Sequence, residues 1–103
     1  MVHNLQIQET ISRVQKMEQI LDEVLEVLNN SPSSIKEDIV IREQIQQLTQ
    51  YYNGGQWLQD YECDERGELP VELKRGVLAE DTLYNFLDDI KKIWFSKKGD
   101  LCN

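Results

Sequence analysis

Histidine, cysteine and proline are scarce in this chain of 103 residues, which has one His, two Cys and two Pro. The two cysteines, Cys63 and Cys102, form neither a Cys-x-x-Cys pair nor part of a dense cysteine framework. Their spacing favours free thiols and therefore a cytoplasmic setting. A Cys–His nucleophile is not expected either, because Cys63 stands between two acidic residues that should raise the pKa of its thiol.

Long apolar runs and a basic start are also missing. The longest uninterrupted apolar stretches are as short as residues 39–41, whereas a helix that spans a bilayer needs about 20 such residues. Residues 1–6 have neither the basic nor the apolar region of a signal peptide. We therefore expect no association with a membrane.

Basic residues are outnumbered, with 11 Lys and Arg against 19 Asp and Glu and a net charge of −8. Binding to nucleic acid releases counterions only where Lys and Arg are clustered, so direct nucleic-acid binding is not expected. The acidic balance favours solubility and, weakly, basic partners. A chain of this length predicts one domain, residues 1–103.

What the sequence does have is helical periodicity. An apolar stripe with steps of three and four residues runs through residues 4–29 without Gly or Pro, and a second one, partly heptad-like as in a coiled coil, through 32–53. The Ser31-Pro32 pair is typical of a helix start, with Ser31 as the N-cap. A third stripe predicts a helix over 80–97, followed by a frayed tail at 98–103.

The fold class predicted from these stripes is all-α, a three-helix bundle. A long antiparallel hairpin, 4–53, is followed by an acidic loop with short helices, 54–79, and by the C-terminal helix packed on the hairpin. The core predicted to lie between the three stripes comprises Ile11, Val14, Leu21, Leu25, Ile41, Ile45, Leu48, Trp57, Leu83, Leu87 and Ile90. Any apolar strip that the hairpin leaves uncovered would favour a homodimer.

The second half of the chain resembles a small bacterial family filed as domain of unknown function number 4298. The resemblance is most specific over residues 51–87. It is carried by Tyr51-Tyr52-Asn53-Gly54-Gly55-Gln56-Trp57, by Asp60-Tyr61-Glu62, and above all by Leu73-Lys74-Arg75-Gly76-Val77-Leu78 with Glu80-Asp81. The resemblance implies a stand-alone cytoplasmic protein, mostly of Gram-positive bacteria, without an assigned activity. Ala79 departs from the pattern, since a Ser expected there would cap the last helix, worth about 1 kcal/mol.

The acidic segment 60–72, with six acidic residues and one arginine, is the first candidate for chemistry. Asp60, Glu62 and Asp64 have the spacing that opens a calcium loop, but Glu65 stands where that loop needs glycine and Val71 where it needs a bidentate glutamate. A solvated acidic turn is the favoured interpretation. No His, Ser or Lys stands in a recognisable arrangement with these carboxylates, so we expect no enzyme, no cofactor and no metal site.

Aromatic residues are densest between positions 51 and 61. Their favoured interpretation is that Tyr52, Trp57 and Tyr61 close the end of the hairpin core; the alternative is an exposed patch for a partner. We expect Arg75 to tie carboxylates and carbonyls together and so to fix the acidic loop against the last helix. The candidate partner-binding residues are Tyr51, Trp57, Asp60, Tyr61, Lys74 and Arg75.

The function that these features favour is a non-catalytic protein-interaction module, a small acidic cytoplasmic protein that binds another protein through a helix face and residues 51–76. One alternative is an inhibitor that imitates nucleic acid and binds a nucleic-acid-binding protein, as in mobile-element counter-defence. A second alternative is a small metal-binding protein. The salt dependence of binding distinguishes the interaction module from the nucleic-acid mimic, because a charge-based contact weakens steeply as ionic strength rises and an apolar one does not.

Overall fold

The helices of this chain are seen in a computed structural model that describes residues 2–79 and 81–95. Within these residues the all-α class is confirmed, and no strand is present. Five α-helices and one short 3₁₀ turn follow one another in the order α1 Val2–Asn30, α2 Ser34–Glu37, α3 Ile39–Asn53, α4 Gln56–Glu65, the 3₁₀ turn Gly76–Leu78 and α5 Thr82–Phe95.

The first stripe forms α1, which matches the expected range closely and is about 43 Å long at 1.5 Å per residue. Its buried residues fall in one band, with Val14 and Val24 fully inaccessible to solvent. In the described residues, no helix combines the length and the apolar character that a membrane crossing requires.

The expected continuous helix over 32–53 is wrong, because it is interrupted at Asp38. Asp38 is extended (φ −85°, ψ 118°), and its side chain accepts a hydrogen bond from the Val40 N–H at 2.9 Å, as the N-cap of α3. In a straight helix, residues six positions apart lie about 120° apart around the axis. The break lets Ile35 (0% exposed) and Ile41 (9% exposed) both reach the core.

Two further details of this region differ from the prediction. Ser31 is not the N-cap of a helix, since α2 begins at Ser34, and Ile39, within the range of the second apolar stripe, is 67% exposed. The exposure of Ile39 follows from the break, which starts a new helix at that residue and rotates its apolar face. The first helix after the turn has Ser33 as its N-cap.

The segment 54–79 is more helical than expected. The chain reverses at Gly55, whose φ of +95° favours glycine, and α4 then continues through Glu65 instead of ending in an acidic loop. Of the short helices expected in this segment, none forms over residues 70–75, and a 3₁₀ turn starts at Gly76. The turn is held by Val77 and Leu78, both buried.

The last helix, α5, begins at Thr82 rather than at residue 80. Position 79 therefore lies outside the N-cap of α5. The expected loss of about 1 kcal/mol from a missing Ser cap does not apply there. Residue 80, residues 96 and 97 at the expected helix end, and the tail 98–103 lie outside the described residues. α5 packs on α2, α3 and the 3₁₀ turn, whereas α1 packs on α2, α3 and the same turn.

The predicted core is largely confirmed. Nine of its eleven members are buried, and Ile11 and Leu25 are partly buried at its edge. The prediction left out buried side chains from every part of the fold, namely Met17, Ile20, Val24, Ile35, Tyr51, Cys63, Leu69, Leu73, Val77, Leu78 and Phe86.

The break at Asp38 yields a stability prediction. Replacement of Asp38 by Ala removes the acceptor for the Val40 N–H and should lower the free energy of unfolding by about 1 kcal/mol. Urea denaturation followed by circular dichroism measures the loss. Glu37→Ala, an exposed neighbour whose side chain caps no helix, is the matched control, and equal losses in the two variants would contradict the capping role.

Candidate functional site

Asp60 of α4 is a fully buried carboxylate (0% exposed) that joins three helices. Arg13 of α1 donates from Nε to Oδ2 at 2.9 Å and from Nη2 to Oδ1 at 2.6 Å. The Tyr51 hydroxyl of α3 donates to Oδ2 at 2.7 Å. We call these three residues the Asp60 network. Because its polar atoms face one another, the network connects α1, α3 and α4 without leaving a buried group unpaired.

The ionisation of the network follows from its geometry. The pKa of Arg13 is raised, chiefly by its hydrogen bond to Asp60, so the guanidinium stays charged. The pKa of Tyr51 is raised by burial first and by the hydrogen bond to Asp60 second, so the phenol stays neutral and donates. Both donors of the network, Arg13 and Tyr51, therefore keep their protons near neutral pH.

Arg75 holds the segment after α4. It donates to the carboxylate of Asp64, to the backbone carbonyl of Pro70 and, through Nε at 3.2 Å, to the carbonyl of Leu73. The expectation that this planar side chain ties a carboxylate and carbonyls together is confirmed. Among the described residues its carboxylate partner is Asp64, so it anchors α4 rather than the last helix.

Both backbone polar groups of the buried residue Val77 are bound by side chains. Its N–H donates to Oε1 of Glu18 at 2.8 Å, and its carbonyl accepts from Nε1 of Trp57 at 2.9 Å. A Cβ added at Gly76 would lie 3.2 Å from Oε2 of Glu18. A glycine at this position therefore lets the glutamate of α1 approach the 3₁₀ turn.

Four aromatic rings form a continuous line, which we call the aromatic row. Tyr61 stacks on Trp57 with ring centroids 5.1 Å apart, Trp57 meets Tyr52 at 5.1 Å, and Tyr52 meets Tyr84 at 6.4 Å. The line runs from the half-buried Tyr61 through the buried indole of Trp57, 8% exposed, and Tyr52 to Tyr84, which is 56% exposed. These distances are typical of attractive aromatic pairs.

The exposed end of the aromatic row opens into a groove between α3 and α5, which we call the α3–α5 groove. Its volume is about 310 Å³, and its lining includes Thr49, Tyr52, Tyr84, Lys91, Trp94 and Phe95. Trp94 is held in place because its Nε1 donates to the carbonyl of Ile35 at 2.8 Å and the Arg42 guanidinium lies 5.5 Å from its ring centroid. Phe95 is 73% exposed. The groove is thus a supported aromatic surface open to solvent.

The structure does not gather the six candidate partner-binding residues into one surface. Tyr51, Trp57 and Asp60 are buried, and their described contacts hold the helices together. The half-buried Tyr61 and Arg75 line one shallow pocket, together with Asp64, Glu65, Leu78 and Ala79. Lys74 is exposed elsewhere and pairs with Asp22 of α1 at 3.4 Å.

The carboxylates with calcium-loop spacing do not converge either, because they lie on a helix. Asp60 is directed to Arg13 and Tyr51, Asp64 pairs with Arg75, and Glu62 is exposed. Among the described residues there is no group of three or more His, Cys, Asp or Glu side chains arranged to hold a metal ion.

Cys63 is buried, and its thiol donates to Oε1 of Glu68 at 3.3 Å. The pKa of the thiol is raised, as expected. The principal cause is burial, followed by the hydrogen bond and the charge of Glu68, rather than the charges of its two sequence neighbours. A thiol held protonated in this way is a poor nucleophile.

Several residues that define these sites were not predicted. Arg13 and Glu18 are charged residues on an amphipathic helix, and apolar periodicity assigns such residues to the solvent face. Trp94 fits the spacing of the last stripe, and no sequence pattern singles out Phe95. A partial signal existed for Glu18, which lies between the buried residues Met17 and Leu21 on the turn that faces the core.

The sequence model of the family described as Domain of unknown function (DUF4298) matches residues 14–96. The chain therefore belongs to this family, as the resemblance over residues 51–87 predicted. No curated protein matches the chain, and no solved structure matches it.

The Asp60 network yields the next prediction. Asp60→Asn leaves the Arg13 charge without its partner, and because that side chain is 23% exposed, water replaces only part of the lost contact. The free energy of unfolding should fall by about 2–3 kcal/mol. Glu62→Gln, which removes an exposed charge from the same helix, should change it by less than about 0.5 kcal/mol. Chemical denaturation at pH 7 measures both, and similar values for the two variants would contradict a structural role for Asp60.

The raised pKa of Tyr51 predicts an alkaline loss of stability. A folded-state pKa above the unfolded value of 10.0 stabilises the fold fully below pH 10, and this contribution is lost as pH rises beyond it. Tyr51→Phe should therefore be less stable at pH 7 by about 1.5 kcal/mol and show a shallower decline above pH 10. Urea melts at a series of pH values measure this, with Tyr84→Phe, at an exposed ring outside the Asp60 network, as the control. If the free energy of unfolding of Tyr51→Phe fell above pH 10 as steeply as that of the wild type, the raised pKa would not belong to Tyr51.

Proposed function

We propose that this member of the DUF4298 family is a non-catalytic protein-interaction module that binds an amphipathic helix of a partner protein in the α3–α5 groove. The observation that carries the proposal is the exposure of large aromatic side chains in that groove. Tyr84 is 56% and Phe95 is 73% exposed, while Tyr52 and Trp94 form a half-buried floor beside them. Aromatic side chains of this kind dominate the energetics of protein interfaces.

The support behind the groove favours binding. Trp94 is fixed by the Ile35 carbonyl, and Tyr52 rests on Trp57, which is itself fixed by the Val77 carbonyl. A surface whose rings are already held in place loses little conformational entropy when a partner binds. Asp88 and Lys91 on the rim supply charges of both signs, as the edge of an interface usually does.

The use of the buried polar groups supports a non-catalytic role. Arg13, Asp60 and Glu18 each make hydrogen bonds that hold helices or the 3₁₀ turn in place. None of these contacts has a nucleophile beside a base, which is the arrangement that covalent catalysis needs. The cytoplasmic setting belongs to the same proposal and rests on the widely spaced cysteines.

The arrangement of the acidic segment favours this function over imitation of nucleic acid. Within residues 60–72, Asp60, Asp64 and Glu68 are paired with arginines. These pairs neutralise half of the six carboxylates that a mimic would present. A surface of regularly spaced, unneutralised charge is what a nucleic-acid-binding protein recognises.

Site-specific photo-crosslinking tests the proposal. A benzophenone amino acid placed at Tyr84 should give a discrete adduct with a host protein, because the ring lies in the groove. The same amino acid at Val71, which is 93% exposed outside the groove, is the control and should not. Adducts of equal yield from both positions, or none from position 84, would contradict the proposal.

The crosslinked protein, once identified and purified, allows a quantitative test. Tyr84→Ala with Phe95→Ala should weaken its affinity by roughly a hundredfold, as expected when interface aromatics are removed. The complex should survive a rise in ionic strength from about 0.1 M to about 1 M, because its contacts are apolar. Unchanged affinity of the double variant, or collapse of wild-type binding in salt, would count against the groove and favour a charge-based partner.

A further inference from the structure

A second concavity lies on the other side of the bundle, between α1 and the segment 70–74. We call it the α1 cleft. Its volume is about 480 Å³, which is within the range of small-ligand sites. Its lining includes Ile11, Gln15, Glu18, Asp22, Leu73 and Lys74. It shares no lining residue with the α3–α5 groove, so the two sites can be tested independently.

The feature that sets this cleft apart is the carboxylate of Glu18, a side chain that is only 8% exposed. Its Oε1 accepts the Val77 N–H, but its Oε2 accepts no hydrogen bond from the described residues. Every fully buried side-chain nitrogen or oxygen in the described part of the chain has a partner. Oε2 therefore keeps some accessible surface, and Glu18 is among the residues that line the α1 cleft.

A half-satisfied carboxylate in such a place attracts a positive charge. A carboxylate oxygen has room for about two hydrogen bonds, and removal from bulk water strengthens its attraction to a cation. Asp22 and Glu72 add negative charge at the rim, where Lys74 compensates Asp22 at 3.4 Å. The net charge of the chain, −8, reinforces this preference at longer range.

The walls of the cleft select a particular kind of cation. Ile11, Pro70 and Leu73 line it with apolar surface, which suits the methylene groups of a long side chain. A guanidinium is planar, weakly hydrated and suited to paired hydrogen bonds with carboxylates, so arginine fits a partly buried site better than lysine. We propose that the α1 cleft binds an arginine side chain of a partner protein, with the guanidinium on Oε2 of Glu18 and the methylenes between Ile11 and Leu73.

An NMR titration of the full chain tests this directly. The probe is an acetylated and amidated pentapeptide, Gly-Leu-Arg-Leu-Gly, and its neutral analogue has citrulline, which keeps the shape, in place of arginine. The arginine peptide should shift the backbone amides of α1 residues 15–19 and of Leu73. The citrulline peptide should bind at least roughly tenfold more weakly, because a charge-assisted hydrogen bond is lost. Equal binding of both peptides, shifts elsewhere on the chain, or no shift at millimolar probe would overturn the proposal.

Variants with matched charge changes complete the test. Glu18→Gln keeps an oxygen for the Val77 N–H while removing the charge, and it should weaken the arginine peptide by roughly tenfold. Glu62→Gln makes the same change in net charge on α4, outside the cleft, and should leave the affinity unchanged. Equal affinity in these two variants would overturn the assignment of Glu18.

A rim variant keeps the test decisive if Glu18→Gln unfolds, which a thermal melt by circular dichroism shows. Glu72 is exposed at the cleft, so Glu72→Gln should fold normally. It should weaken the arginine peptide by roughly twofold to threefold, as expected for a solvent-exposed charge. Wild-type affinity in Glu72→Gln together with an unfolded Glu18→Gln would also overturn the proposal.

Discussion

One buried carboxylate, that of Asp60, connects the three helices that make up one side of the bundle. It accepts two hydrogen bonds from Arg13 of α1 and one from Tyr51 of α3, while its own backbone belongs to α4. A buried charge is costly unless it is paired, so α4 can pack in this register only where both donors are present. The network thereby fixes where Trp57, on the same short helix, enters the core, and Trp57 in turn supports Tyr52 and the carbonyl of Val77.

The two faces of the molecule follow from that arrangement. On one face the aromatic row ends in the α3–α5 groove, where rings held by the interior reach solvent at Tyr84. On the other face, a Cβ at Gly76 would lie 3.2 Å from Oε2 of Glu18, and the N–H of the next residue, Val77, donates to Oε1 of the same glutamate. The two proposed sites thus depend on one interior, since Val77 is bound by Trp57 from one side and by Glu18 from the other.

The apolar stripes were sufficient to predict an all-α fold, the extent of α1 and most of its core, because burial of one helix face is a periodic property of the sequence. They misplaced the second helix, since an Asp N-cap at position 38 looks like any solvent-facing acid until Ile35 and Ile41 are both seen to be buried. The candidate site was harder to predict. The sequence patterns place Asp60 in an acidic segment and Tyr51 in a candidate partner-binding set, whereas in the structure both are buried and hydrogen-bonded to each other. Arg13, the other partner of Asp60, lies 47 residues away in the chain. No local sequence pattern reveals a pair that far apart.

The most direct test of this account is a double-mutant cycle on Arg13 and Asp60, measured as free energies of unfolding at pH 7. Arg13→Met leaves the Asp60 carboxylate without its cation, and Asp60→Leu leaves Arg13 and the Tyr51 hydroxyl without their acceptor, whereas the double variant removes both charges together. The account predicts that the double variant is less destabilised than the sum of the single variants by at least about 1.5 kcal/mol. Additivity to within about 0.5 kcal/mol would contradict the claim that this pair holds α1 and α4 together.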